Sequence, residues 1–223
     1  MKKFLFSAIL FIFIVNTTTA QVSFSIDAAP QLSWLKSDKS IVAKDGSKFG
    51  FKYGLNLDFA FGDNYAFSTG IKINNLGGKL IYNTDSILRF NHDETMDTLP
   101  TGISIAYKLQ YLEIPLGLKF KTNEIGYMTY YMQVGLSPLI NIGANADAQH
   151  PNRSFEGEKI NKEVRLFSLG YFISGGFEYN LGGATSVLVG LSYFNGFMDV
   201  TNNEDVKDKT ILNSVALNVG IKF

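Results

Sequence analysis

Residues 49 to 61 read Phe-Gly-Phe-Lys-Tyr-Gly-Leu-Asn-Leu-Asp-Phe-Ala-Phe. Phe49, Phe51, Tyr53, Leu55, Leu57, Phe59 and Phe61 fall at every second position, with Gly50, Lys52, Gly54, Asn56, Asp58 and Ala60 between them. A period of two puts the two sets on opposite faces of an extended chain, whereas a helix would scatter them around its circumference. The segment reads as a strand with one bulky apolar face and one small or charged face.

The same alternation continues in both directions and gives eight segments: Val22 to Leu35, Phe49 to Phe61, Tyr65 to about Tyr82, about Gly102 to Lys121, Tyr127 to about Ala144, Val164 to Leu181, Thr185 to about Phe197, and Thr210 to Phe223. In the fourth, the apolar residues change phase, from Ile103, Ile105, Tyr107, Leu109 and Tyr111 to Leu112, Ile114, Leu116, Leu118 and Phe120. The adjacent pair Tyr111-Leu112 predicts a bulge, and Pro115, which has no N–H to donate, predicts a local break in pairing. Tight Gly, Asn and Asp turns at 62–64, 122–126 and 182–184 alternate with long polar loops at 36–48, 83–101, 145–163 and about 198–209. Short and long connections in strict alternation predict an all-β fold, an eight-stranded antiparallel transmembrane up-and-down β-barrel with its tight turns on the periplasmic side.

The flanking sequence and composition agree with export. Met1-Lys2-Lys3, the apolar run Phe4 to Val15 and the small residues Thr18-Thr19-Ala20 before Gln21 read as a signal peptide over 1–20, leaving 21–223 as one barrel domain. The apolar run falls short of the roughly 20 residues that a membrane-spanning helix needs. With no cysteine in the chain, disulfides, thiol catalysis and Cys-based metal sites are excluded together. Twenty basic residues balance twenty acidic ones, so no electrostatic feature points to nucleic acid.

Alternation alone does not say which face meets lipid, since a secreted lipocalin-like barrel has the same strand count with its apolar face inward. Residue size favours the membrane arrangement. An eight-stranded tube is only wide enough for side chains to fill, and the polar tracks carry Gly50, Gly54, Gly70, Gly117, Gly135, Gly170, Gly176, Gly190 and Gly220. A lysine such as Lys52, Lys72 or Lys119 facing lipid would cost about 2–4 kcal/mol at the midplane. Turned inward, Lys52, Lys72, Lys108, Lys119, Arg165 and Lys222 share a lumen with Asp27, Asp58, Glu113 and Glu178, where they form a charge network. Phe61, Tyr65, Phe120, Tyr127, Tyr179 and Phe223 near the turns, and Trp34, Phe49, Phe51 and Phe167 near the loops, read as two aromatic girdles.

The segment Tyr111-Leu112-Glu113-Ile114-Pro115-Leu116-Gly117-Leu118-Lys119 resembles the Tyr-Leu-Glu-Ile-Pro strand of PorT-like outer-membrane β-barrel proteins. The Pro30 to Trp34 strand, the Ser192 to Asp199 strand end and the terminal Phe223 are similar to that family as well. The resemblance implies a Gram-negative outer membrane, a family founder linked to protein secretion, and no catalytic residues. Phe223 resembles the terminal aromatic that outer-membrane assembly machinery reads on its clients.

His92 and His150, in different loops, lack the clustered spacing of a metal site. The loop acids Asp85, Asp93, Glu94, Asp97, Asp199, Glu204, Asp205 and Asp208 lack the ordered spacing of a calcium loop and read as solvated charge. No His shares a strand face with a Ser, as acyl transfer would require. No catalytic, cofactor or metal residue is therefore expected. The expected role is a non-enzymatic structural or interaction barrel of the envelope, with secretion accessory as one form of it; the alternative is a narrow porin-like pore for ions or very small solutes. Expected partners are outer-membrane lipid and lipopolysaccharide, the assembly machinery, and an envelope or secretion protein.

Overall fold

A computed structural model describes residues 21–83, 86–89, 96–99, 101–150, 153–202 and 208–223. Residues 1–20, where the sequence predicts a signal peptide, together with His92, Asp85, Asp93, Glu94, Glu204 and Asp205, lie outside them.

The strands are β1 (Val22–Ser37), β2 (Val42–Gly62), β3 (Tyr65–Tyr82), β4 (Ser86–Arg89), β5 (Met96–Leu99), β6 (Ile103–Glu113), β7 (Leu116–Lys121), β8 (Met128–His150), β9 (Arg153–Lys159), β10 (Phe167–Gly182), β11 (Thr185–Gly196) and β12 (Thr210–Lys222). All pair antiparallel, and the order β10-β11-β12-β1-β2-β3-β6-β8 closes on itself because β8 pairs with β10. β6 and β7 are one stave. Against β3, Lys72↔Glu113 and Thr69↔Leu116 keep a single register, as do Glu113↔Leu139 and Leu116↔Leu136 against β8. The strand is interrupted at Ile114 and Pro115, where the ring removes a donor, although the Ile114 N–H still donates to the Pro138 carbonyl of β8 at 3.1 Å. Eight staves thus form the wall, with β9 extending it beside β8 and β4-β5 forming a separate hairpin.

The bulge expected at Tyr111-Leu112 is not there: Asn74↔Tyr111 and Ile73↔Leu112 are consecutive pairs. The irregularity belongs to β8, where Gln110↔Gly143 is followed by Tyr111↔Asn141 and leaves Ile142 over. The phase change along β6 and β7 has a different cause, a change of surroundings. Ile103, Ile105, Tyr107, Leu109 and Tyr111 point inward and are buried, whereas Leu116, Leu118 and Phe120 point outward and are exposed. The strand does not slip; its apolar side moves from lumen to outer wall as it passes from water into hydrocarbon.

This inversion divides the barrel in two. On the turn side the wall is apolar outside, with Phe51, Tyr53, Leu55, Phe67, Leu118, Val134 and Leu217 exposed. Along β2 this belt runs from Phe49 to Phe61, about 30 Å of height at roughly 3.3 Å per residue and a tilt near 40°. On the loop side the lumen is an apolar core of Leu35, Val42, Leu76, Leu80, Tyr82, Ile103, Tyr107, Tyr111, Leu139 and Leu212. The expectation of a polar interior throughout is thereby corrected for this half, which packs like a soluble protein.

The long loops are corrected by the same cause. β2 spans 21 residues and β8 23, about twice the 9–11 that cross a bilayer. Within 36–48 only residues 38–41 lie outside strand, and much of 145–163 is the β8-β9 hairpin. Their polar composition reads as loop, yet each polar outward residue alternates with an inward apolar one, such as Ala144, Ala146 and Ala148. Asp147 ties this hairpin down. Burial raises its carboxyl pKa, but the Lys108 ion pair at 2.5 Å and the Gly157 N–H at 2.8 Å outweigh burial and leave it below 3.8. Inside the same half, burial first and then Tyr82, whose hydroxyl lies 2.7 Å away, push the Tyr107 phenol well above its usual pKa of 10.

The ring closes between β1 and β12, in register from Ser25↔Lys222 to Ser37↔Thr210. Phe223 donates its N–H to the Phe24 carbonyl at 2.8 Å and accepts the Phe24 N–H at 3.2 Å, with the two rings stacked at 6.2 Å.

If the belt ends near Phe49, Leu55→Lys within it costs about 2–4 kcal/mol, whereas Ser47→Lys, above it on the same strand, changes stability by about 0.5 kcal/mol or less. Urea unfolding of the barrel in lipid vesicles measures both.

Candidate functional site, the charged lumen

Below the apolar core, inward positions of six staves bring charges together. At the turn end, Glu178 on β10 receives Lys222 at 2.6 Å and Lys119 at 2.7 Å, with Lys121 at 3.7 Å. Lys119 also reaches Asp58 at 2.8 Å and lies 4.7 Å over the Tyr131 ring. Further up, Lys72 meets Asp27 at 2.7 Å, and Asn56 donates to the other Asp27 oxygen at 2.8 Å. Highest is Glu113, which accepts from Asn74 at 2.5 Å and Ser137 at 2.7 Å, with Lys52 at 3.9 Å. Gln31 caps the chain by donating to Asn74 at 2.6 Å.

The wall permits this because small residues leave room for long ones. A Cβ at Gly190 would overlap the Tyr131 hydroxyl, and one at Gly170 would press on the Phe194 ring. Within the charged zone remains a cavity of about 70 Å³, beside Asp27, Lys52, Asp58, Lys72 and Glu113. A vestibule of about 780 Å³ opens at the turn end toward Lys121, Glu178 and Lys222.

Of the ten charges placed in the lumen from sequence, the structure brings together Asp27, Lys52, Asp58, Lys72, Glu113, Lys119, Glu178 and Lys222. Lys108 and Arg165 lie elsewhere. Lys108 points outward above the belt, its side chain 42% exposed and paired with Asp147. The inward places on its strand are filled by Tyr107 and Leu109. Arg165 precedes β10 with its side chain 50% exposed; it pairs with Asp199 at 3.3 Å and donates to the Thr201 carbonyl at 3.0 Å.

Sequence reading missed Lys121 and the amides Gln31, Asn56 and Asn74. Lys121 follows Gly117 and Lys119 at the period-two spacing, so the signal was present. Two loop acids also depart from their expected solvation. Asp199 accepts the N–H groups of Thr201 and Thr210, and Asp208 accepts Ser37 Oγ at 2.8 Å and Thr210 Oγ1 at 2.7 Å. They fasten the β11–β12 connection to β1.

Chemically, the network is a set of opposed charges that satisfy one another at depth. Lys52, Lys72, Lys119, Lys121 and Lys222 face Asp27, Asp58, Glu113 and Glu178, so this network carries one positive charge in excess, at the turn-end mouth.

The profile of the family described as outer membrane protein beta-barrel domain matches residues 15–162, from before β1 to just past β9. Among solved structures, neisserial surface protein A (NspA) is 13% identical with a TM-score of 0.50, covering 90% of this chain and 95% of its own. The outer membrane protein OprG from Pseudomonas aeruginosa is 14% identical with a TM-score of 0.45, covering 92% and 97%. The attachment invasion locus protein Ail of Yersinia pestis, in complex with the heparin analogue sucrose octasulfate, is 13% identical with a TM-score of 0.42, covering 91% and 99%. At such identity the likeness to NspA bears on fold alone. No protein of curated function matches the chain.

Lys72→Ala, which strands the Asp27 carboxylate at depth, is expected to cost about 3–5 kcal/mol of barrel stability. Lys72→Ala combined with Asp27→Ala should recover most of that loss, as a double-mutant cycle of unfolding free energies will read.

Proposed function

The chain belongs to the outer membrane protein beta-barrel domain family, and we propose that it serves in the Gram-negative outer membrane as a closed, non-enzymatic barrel that acts through its loop-end hairpins as a structural and interaction element of the envelope. The observation that carries this reading is the apolar core in the loop-side lumen. Leu35, Leu80 and Tyr111 there have no exposed surface, so the bore is filled above the charged zone as well as within it. The same core underlies a platform made by the loop-end lengths of β1-β2 and β8-β9, standing clear of the belt. The lumen charges are tied to one another in ion pairs, which leaves them to specify the packing of the tube rather than to act on a substrate.

The narrower kinship to PorT-like barrels rests on Tyr111 to Lys119, in which Glu113 anchors the upper network and Pro115 interrupts the stave. On that kinship the partner of the platform is an envelope protein engaged in secretion. In this reading Phe223, which stacks against Phe24 at the closing seam, is the residue that the assembly machinery recognises before the ring shuts. A second reading, a narrow pore for ions, is favoured by the turn-end vestibule and the small polar cavity above it.

Planar-bilayer recordings separate the two. The closed barrel should be silent. A steady current altered by Lys72→Ala or Glu113→Ala would replace the interaction reading with transport. Deleting residues 153–159 should abolish cross-linking to an envelope partner while leaving the barrel folded.

A further inference from the structure

We propose that the outer wall just above the apolar belt holds the phosphorylated headgroup of an outer-leaflet lipid, gripped by Lys48, Lys79 and Lys108. The site arises from a defect in the wall. β2 and β3 pair at Gly46↔Lys79 and again at Phe51↔Asn75, and between these β2 lets go of its neighbour. β1 packs directly under β3 in the gap: Ser33 Oγ accepts the Gly77 N–H at 2.9 Å, and a Cβ at Gly78 would strike the Leu35 backbone.

Where β2 lifts, a groove of about 280 Å³ opens on the outside, lined by Lys48, Phe49, Asn75, Lys108, Gln110 and Asn145. The Lys48 stem crosses Gly77, where an added Cβ would come within 3.0 Å of it, and Gly77 is the cross-strand partner of Lys108. Lys79 is the next outward residue on β3 and is exposed. Lys48 and Lys108 thus line the groove itself, with Lys79 beside it near enough to act on the Lys48 charge, while Asp147 is paired with Lys108. Burial first, and then the Lys108 charge, hold the Lys48 pKa below its usual value, with Asp147 opposing and Lys79 adding a smaller push in the same direction.

Depth identifies the ligand. Phe49, 69% exposed, forms the lower lip, and Phe51 and Tyr53 continue below it on the lipid face. Trp34, the single tryptophan of the chain, is the cross-strand partner of Ser47 beside the site and carries Lys44 at 5.0 Å from its ring. Tryptophan at such a level marks the membrane–water interface. An anionic head in the groove with acyl chains running down past Phe49 and Phe51 meets both halves of this surface. A soluble anion meets only the upper half.

The test uses the whole barrel in zwitterionic nanodiscs, supplied with diphosphorylated lipid A or with its dephosphorylated form, and native mass spectrometry of the retained lipid. Wild type should retain the diphosphorylated form preferentially. The triple variant Lys48→Gln, Lys79→Gln, Lys108→Gln should lose that preference by about a hundredfold, at roughly a factor of five for each lysine near a membrane surface. Lys36→Gln, Lys39→Gln, Lys209→Gln removes the same charge elsewhere and should behave as wild type. Should the first triple fail to fold, Lys48→Gln with Lys79→Gln keeps the Lys108–Asp147 pair and should still lower the preference at least severalfold. The proposal is overturned if the site variants retain the lipid as wild type does, if both triples lose it equally, or if inorganic phosphate alone displaces it.

Discussion

A strand that leaves hydrocarbon for water has to exchange the side it hides. Everything else in this molecule follows from that exchange. In the belt the burial of apolar groups is done by lipid, so bulky residues face out and the narrow bore must take what remains, glycines and charges. Above the belt water surrounds the wall and apolar groups have to find one another, which they do inside the bore. The stave formed by β6 and β7 carries both regimes in a single register, with Tyr111 inside and Leu112 outside at the crossing.

The two halves of the bore are filled on different principles. Apolar packing in the loop-side half is tolerant of detail, since volume and shape suffice. The ion pairs below are not, because a buried carboxylate stripped of its lysine is costly. Glu178 sits among Lys119, Lys121 and Lys222, while Glu113 leans more on Asn74 and Ser137 than on Lys52, which stays 3.9 Å away. The lumen thus grades from ionic at the turn end to amide and hydroxyl bonding near the crossing, then to hydrocarbon.

Fold class was legible wherever one environment governs a whole strand. Phe49 to Phe61 lies entirely in the belt, and its alternation alone orients it. Where a strand spans two environments, alternation still shows a strand but no longer shows which face is inside. Lys108 illustrates this. It sits on the same stave as the inward Lys119, yet the phase of its neighbours puts it outside among water-facing groups. Hairpin extensions were read as loops because polar outward residues dominate their composition, although inward Ala144, Ala146 and Ala148 keep the period. The lysine groove was not legible at all, since it depends on β2 parting from β3 and not on any local motif.

The β1–β12 seam also dictates an order of events. The partners that shut the ring lie at opposite extremes of the barrel sequence, so β1 emerges in synthesis long before anything can satisfy its free edge. Closure by the most distant pairing is slow to reach. Until then the unfinished ribbon presents two open margins and a greasy flank, the state in which such a chain is most exposed to edge-to-edge aggregation.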